Sequence, residues 1–131
     1  MEPLYSQLGS LYASRVESRE SEDREREYAL AQDYLQKAIA LQTQFKHEES
    51  LASSLYNLAR LYHYYREYEQ AESFYQRSLE INRSGENHSE IANVLNSLAI
   101  LHSERNEMVI AEQEYQEALK IYRNLGNLPY V

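Results

Sequence analysis

The stretch Leu55–Ile81, LYNLARLYHYYREYEQAESFYQRSLEI, nearly repeats itself when moved forward by 40 residues. Leu55, Leu58, Ala59 and Leu61 fall on Leu95, Leu98, Ala99 and Leu101; Glu67, Ala71, Glu72, Tyr75, Gln76, Leu79 and Ile81 fall on Glu107, Ala111, Glu112, Tyr115, Gln116, Leu119 and Ile121. A fainter copy lies upstream, where Ala31, Ile39 and Leu41 sit beneath Ala71, Leu79 and Ile81. A fixed period of this length marks a repeat array, in which each unit buries its apolar face against its neighbours.

The spacing inside a unit predicts its shape. Leu55 is followed by Leu58-Ala59, Tyr62, Ala71 and Tyr75, and Leu95 by Leu98-Ala99, His102, Ala111 and Tyr115, with apolar residues recurring at helical intervals. Two antiparallel helices approach closely only where one presents a small side chain, so Ala59 and Ala71 mark the crossing and the larger Leu and Tyr fill the space around it. With three Gly and two Pro, the chain has little room for strands or long loops. The expectation is an all-α, right-handed superhelical array of about six antiparallel helices, one domain over residues 1–131.

A first unit begins with Pro3 in an opening helical turn. Leu4, Leu8, Leu11 and Tyr12 recur at helical spacing, and Leu8-Gly9 with Tyr12 fills the small-residue and aromatic positions. Leu8 to Ala31 is ten residues longer than Leu58 to Ala71, so this unit carries an insert within Glu17–Glu27. Opposite charges four apart (Arg19–Asp23, Glu20–Arg24, Glu22–Arg26) and Ser21 as a cap predict helix there. Shared between two helices, ten residues lengthen each by about one and a half turns and make the hairpin project beyond the stack. The expected repeats run over about 3–45, 50–83 and 90–124. Gly85 is expected to end one helix and Ser89 to cap the next, with Gly126 and Pro129 closing the last.

Residues 125–131 read as the start of a link to a further helix pair, since Val131 falls beneath Ile91 in the repeat register. In the final helix, Ala111, Tyr115, Ala118 and Tyr122 form the stripe expected to meet its partner helix. Ile110, Ile121 and Leu125 lie off that stripe as an expected assembly interface, covered by another repeat or another copy.

Composition removes several classes of function. A net charge of −8 disfavours phosphate backbones, so no nucleic-acid partner is expected. There is no cysteine for a disulfide or thiolate, no apolar run of membrane-spanning length, and no secretion signal after Met1, so a cytoplasmic protein without a membrane partner is the expectation. The four His fit no zinc motif, no Gly-rich phosphate loop is present, and His102 stands in a core aromatic position. No enzyme activity, metal or cofactor is expected.

The segments His88–Ala99, HSEIANVLNSLA, and Glu69–Ile81, EQAESFYQRSLEI, resemble the tetratricopeptide repeats of the kinesin-light-chain-like type, and the resemblance extends over nearly the whole chain. It departs from the pattern where Arg66 and Asn106 replace the usual Gly between helices, which predicts a different shape for the Arg66 turn, and at Arg83 and Arg123, where the closing Pro is absent. The resemblance implies a scaffold whose first helices line a concave groove for extended peptides. The groove positions it implies are Asn57, Arg60, His63 and Tyr64, then Asn93, Asn96, Ser97 and Ile100, with Ser6 and Ser10 in the first repeat. Their chemistry suits that role: Asn donates to and accepts from a peptide backbone, Arg pairs with carboxylates, and Tyr adds contact area at small entropic cost. The expected partner is a protein or peptide in that groove, with assembly into a longer array or self-association as the alternative.

Overall fold

A computed structural model describes residues 2–18 and 24–126. It has six helices: α1 (Glu2–Ser18), α2 (Arg24–Gln44), α3 (Glu48–Tyr64), α4 (Tyr68–Ser84), α5 (His88–Glu104) and α6 (Met108–Leu125). Among the described residues there is no strand. Helices pair as α1–α2, α3–α4 and α5–α6, and the pairs stack through α2–α3 and α4–α5.

One turn recurs along the chain. Lys46, Arg66, Glu86 and Asn106 each take a left-handed backbone, with φ of 56°, 60°, 55° and 62°. The next residue then donates its N–H to the carbonyl five back: His47 to Gln42, Glu67 to Tyr62, Asn87 to Asn82 and Glu107 to His102, at 2.8–2.9 Å. This Schellman closure satisfies carbonyls at the end of α2, α3, α4 and α5. The Arg66 turn therefore has the shape of the Asn106 turn, contrary to the sequence expectation; the hydrogen-bonded closure and the helices docked around it hold a residue that resists this conformation. Gly85 stays in the right-handed region (φ −86°) and Glu86 takes the left-handed position. Gly126, at φ 69°, is the glycine that uses its freedom, ending α6. Ser89 lies inside α5, whose N-cap is Asn87.

The helix crossings fall where small residues stand. Ala59, Ala71 and Ala99 are fully buried, and Leu58, Leu61, Tyr75, Leu98 and Leu101 pack around them. In the first pair the approach is tighter, since a Cβ on Gly9 would meet Leu35 Cγ at 2.6 Å. Of the apolar residues expected to recur along α1, Leu8 and Tyr12 are half-buried. Gly9 and Ala13 are buried, and Tyr5 and Tyr12 stack on Tyr34 with ring centroids 6.0 and 5.8 Å away. Leu4 and Leu11 are left 45% and 53% exposed.

Within the described residues, each helix of the first pair is longer than its counterpart by about one turn. Matching Gly9 to Ala59, α1 runs four residues past the position of Tyr64; matching Ala31 to Ala71, α2 begins four residues before that of Tyr68. The pairs Arg19–Asp23, Glu20–Arg24 and Glu22–Arg26 and the Ser21 cap involve residues outside the described ones. The added turn of α2 packs on the next repeat: Tyr65 Oη donates to the Arg24 carbonyl at 3.3 Å, and the Arg24 guanidinium donates to the Tyr64 hydroxyl.

At the other end, α6 buries Ala111 and Ala118 and half-buries Tyr122. Tyr115, expected in that inward stripe, is 40% exposed, whereas its equivalent Tyr75 is 1% exposed. Ile110 and Leu125 are exposed; Ile121 instead packs half-buried against the core.

Candidate partner-binding groove

The first helices of the three pairs lie side by side and are linked by polar contacts. Asn57 Nδ2 donates to Ser10 Oγ at 3.1 Å, joining α3 to α1. The Tyr56 and Ser97 hydroxyls meet at 2.8 Å, joining α3 to α5. His63 Nε2 stands 2.8 Å from Glu104 Oε1, and its Nδ1 stands 3.4 Å from the Tyr75 hydroxyl. These contacts draw α1, α3 and α5 into one polar face.

Two depressions open on that face and share Arg60. The smaller, about 100 Å³, lies between α1 and α3 and is lined by Ser10, Ala13, Ser14, Asn57 and Arg60. The larger, about 640 Å³, is lined by Arg60, His63, Tyr64, Arg66, Tyr68, Tyr75 and Glu104. Two guanidinium groups and two exposed or half-exposed tyrosine rings thus converge on a chain whose net charge is −8. Tyr64 is fixed by Arg24, whose guanidinium lies 5.3 Å from the ring centroid. Beneath it Tyr28 meets Tyr65 edge-on at 4.0 Å and donates to Glu67 Oε2 at 2.9 Å. Burial and the Glu67 carboxylate push the Tyr28 phenol well up, so it remains a protonated donor.

A sequence profile of the tetratricopeptide repeat matches residues 20–84 and again 67–124. The chain belongs to the tetratricopeptide repeat family. The fold also matches the crystal structure of BtubC (BKLC) from P. vanneervenii, with a TM-score of 0.77 and 25% identity. The match covers 94% of this chain and 46% of that one, so the chain spans about half the length of this relative. Both comparisons fit the kinesin-light-chain-like type of repeat. None of the curated proteins compared matches the chain.

In this tetratricopeptide array the expected groove residues divide by repeat. Asn57, Arg60, His63 and Tyr64 of the second repeat line the two depressions, as does Ser10; Ser6 is half-buried on α1. The third-repeat set lines neither. Asn93 accepts from the Tyr122 hydroxyl and so ties α5 to its own partner α6. Ser97 is engaged by Tyr56, and Asn96 and Ile100 stand exposed beyond the larger depression. Arg24, Arg66, Tyr68 and Glu104 join the site unforeseen. Glu104 carried a signal, since it is Tyr64 moved by one repeat; Arg66 read as a turn residue only.

A second polar cluster holds the third repeat together. His102 is buried, with Nδ1 2.6 Å from Glu114 Oε1 on α6 and Nε2 3.5 Å from Glu72 Oε2 on α4. Arg105 Nη1 adds a contact to Glu72 at 3.3 Å. Burial works against charging the imidazole, but hydrogen bonding to Glu114 and the nearby carboxylates outweigh it and raise its pKa above 6.5. Among the described residues no cluster of His and carboxylates has the makings of a metal site, and no helix is long and apolar enough to cross a membrane.

Proposed function

We propose that this array binds a partner protein by an extended, carboxylate-bearing segment laid along α1, α3 and α5. The carrying observation is the convergence of Arg60, Arg66, Tyr64 and Tyr68 on one depression of about 640 Å³. Guanidinium groups bind carboxylates through paired, charge-assisted hydrogen bonds, and tyrosine rings supply contact area while losing little freedom. The Asn57 side chain spends an amide hydrogen on Ser10 and keeps its carbonyl for a peptide N–H. Arg24 holds Tyr64 and Ser10 holds Asn57 before a ligand arrives, which lowers the entropic cost of binding. The role is recognition rather than catalysis.

Selection of a random peptide library against the chain tests this reading. Enriched peptides should carry Asp or Glu, and Arg60→Ala with Arg66→Ala should weaken them by about ten- to a hundredfold, the loss of a charge-assisted pair. Enrichment of basic peptides, or acidic ones indifferent to both substitutions, would contradict it.

A further inference from the structure

We infer that copies of this chain associate head to tail, the α1 face of one molecule docking on the α6 face of the next. The observation is a mismatch between equivalent positions of a repeating structure. Tyr75 and Leu79 of α4 are 1% and 7% exposed, while Tyr115 and Leu119 of α6, the same positions one repeat on, are 40% and 39% exposed. With Met108 and Ala111 they line an apolar depression of about 300 Å³. At the other end, Leu4 and Leu11 of α1 are exposed, whereas Ser54 and Leu61 of α3 and Val94 and Leu101 of α5, which match them, are at most 1% exposed. Leu8 is half-buried where Leu58 and Leu98 are fully buried.

What covers the matching residues inside the molecule says what fits these two faces. The second repeat is closed by α5, which docks on α4, and Val94, Leu98 and Leu101 of α5 are buried. On α1 the same three positions are Leu4, Leu8 and Leu11. The α1 face therefore carries the apolar positions, and the α6 face the surface, of the kind of junction by which α5 docks on α4. The polar register continues as well. The Tyr56–Ser97 contact joins α3 to α5; moved one repeat on, it pairs Asn96 with Gln7 of the next copy. Both are exposed amides able to donate and accept. Apolar patches of this kind commonly mark interfaces.

The geometry also sets the kind of assembly. The two faces differ, so the contact is heterologous, and the operation that relates successive repeats advances along the array instead of closing a ring. Copies then add to open chains. Each carries a net charge of −8, so added salt, which screens that repulsion, should strengthen the association.

Sedimentation of the 131-residue chain over a wide micromolar range, with Leu11→Glu and Leu119→Glu, decides the matter. Both positions are exposed, and far-ultraviolet circular dichroism confirms that the variants keep their helices; Leu4→Gln and Met108→Gln replace either one that does not. The wild type should show mass rising with concentration, and each variant alone should stay monomeric. Mixed in equal amounts, they should give twice the monomer mass and no more, because Leu11→Glu keeps an intact α6 face and Leu119→Glu an intact α1 face. A wild type that is monomeric throughout would overturn the inference and assign these faces to some other partner or to further repeats. Self-association that survives Leu11→Glu would overturn it in favour of α6 pairing with itself. Failure of two folded variants to complement would overturn it too.

Discussion

His102 and Glu114 face each other across α5 and α6, with Nδ1 and Oε1 2.6 Å apart in a site almost closed to water. Tyr12 and Tyr62 fill the same position in the other repeats, so the third repeat has exchanged a phenol for a titratable ring. The folded pKa of His102 is raised above its ordinary 6.5. A group raised on folding contributes stability that is fully present below its unfolded pKa and is lost as pH rises through its folded pKa. Glu114 is also raised, chiefly by burial, but from 4.5, so its contribution is lost at more acid pH. The melting temperature should therefore fall as pH rises from just above 6.5, and His102→Tyr should flatten that slope. Equal slopes for both proteins would contradict the assignment.

Gly9→Ala should destabilise the first helix pair. The added Cβ would stand 2.6 Å from Leu35 Cγ and 3.1 Å from the Leu35 backbone nitrogen, and Leu35 is fully buried with little room to retreat. Overpacking of this kind costs about 1–3 kcal/mol. Urea unfolding measures it, and a change below about 0.5 kcal/mol would show that the helices slide apart freely.

Ala71→Leu and Ala111→Leu should part company despite their equivalence. Ala71 is fully enclosed, so the larger side chain costs about 1–3 kcal/mol. Ala111 borders the depression formed by Met108, Tyr115 and Leu119, which can receive the added carbons. Thermal melts of the two variants should show a clear drop for the first and a small one for the second; equal drops would show that the α6 face is closed.

Lys46→Gly and Glu86→Gly should each stabilise the chain. Both residues hold a left-handed backbone that costs a side-chain-bearing residue about 1–2 kcal/mol, against which glycine adds about 0.4–1 kcal/mol of unfolded-state entropy. The net gain is about 0.5–1 kcal/mol, read as a shift in the denaturation midpoint at unchanged slope. A loss of stability would mean that the side chains at 46 and 86 contribute more than the turn strains them.

The repeat was legible because helix packing writes itself in small residues: Ala59, Ala71 and Ala99 announce where backbones approach. The turns were not, because the left-handed position falls to Lys46, Arg66 and Glu86, whose side chains say nothing of φ; the closure is set by backbone hydrogen bonds. Within the groove, Asn57, Arg60, His63 and Tyr64 could be placed by helical spacing and resemblance. Arg24 and Arg66 reach it from outside that helix, and a contact of Arg24 with Tyr64, 40 residues away, leaves no local trace. Likewise Asn93 looked free on its helix until Tyr122, from the partner helix, claimed it.

Binding of a partner on the second-repeat face of α3 can be followed residue by residue in a nuclear magnetic resonance titration. The isotope-labelled chain receives a peptide selected on it, and the same titration is run on Arg60→Ala and Tyr64→Ala. Shifts should centre on Asn57, Arg60, His63 and Tyr64, reaching Ser10 on one side and Glu104 on the other, with affinity lowered about tenfold or more in either variant. Shifts confined to the ends of the array or to the opposite faces of α4 and α6, with affinity unchanged in both variants, would contradict it.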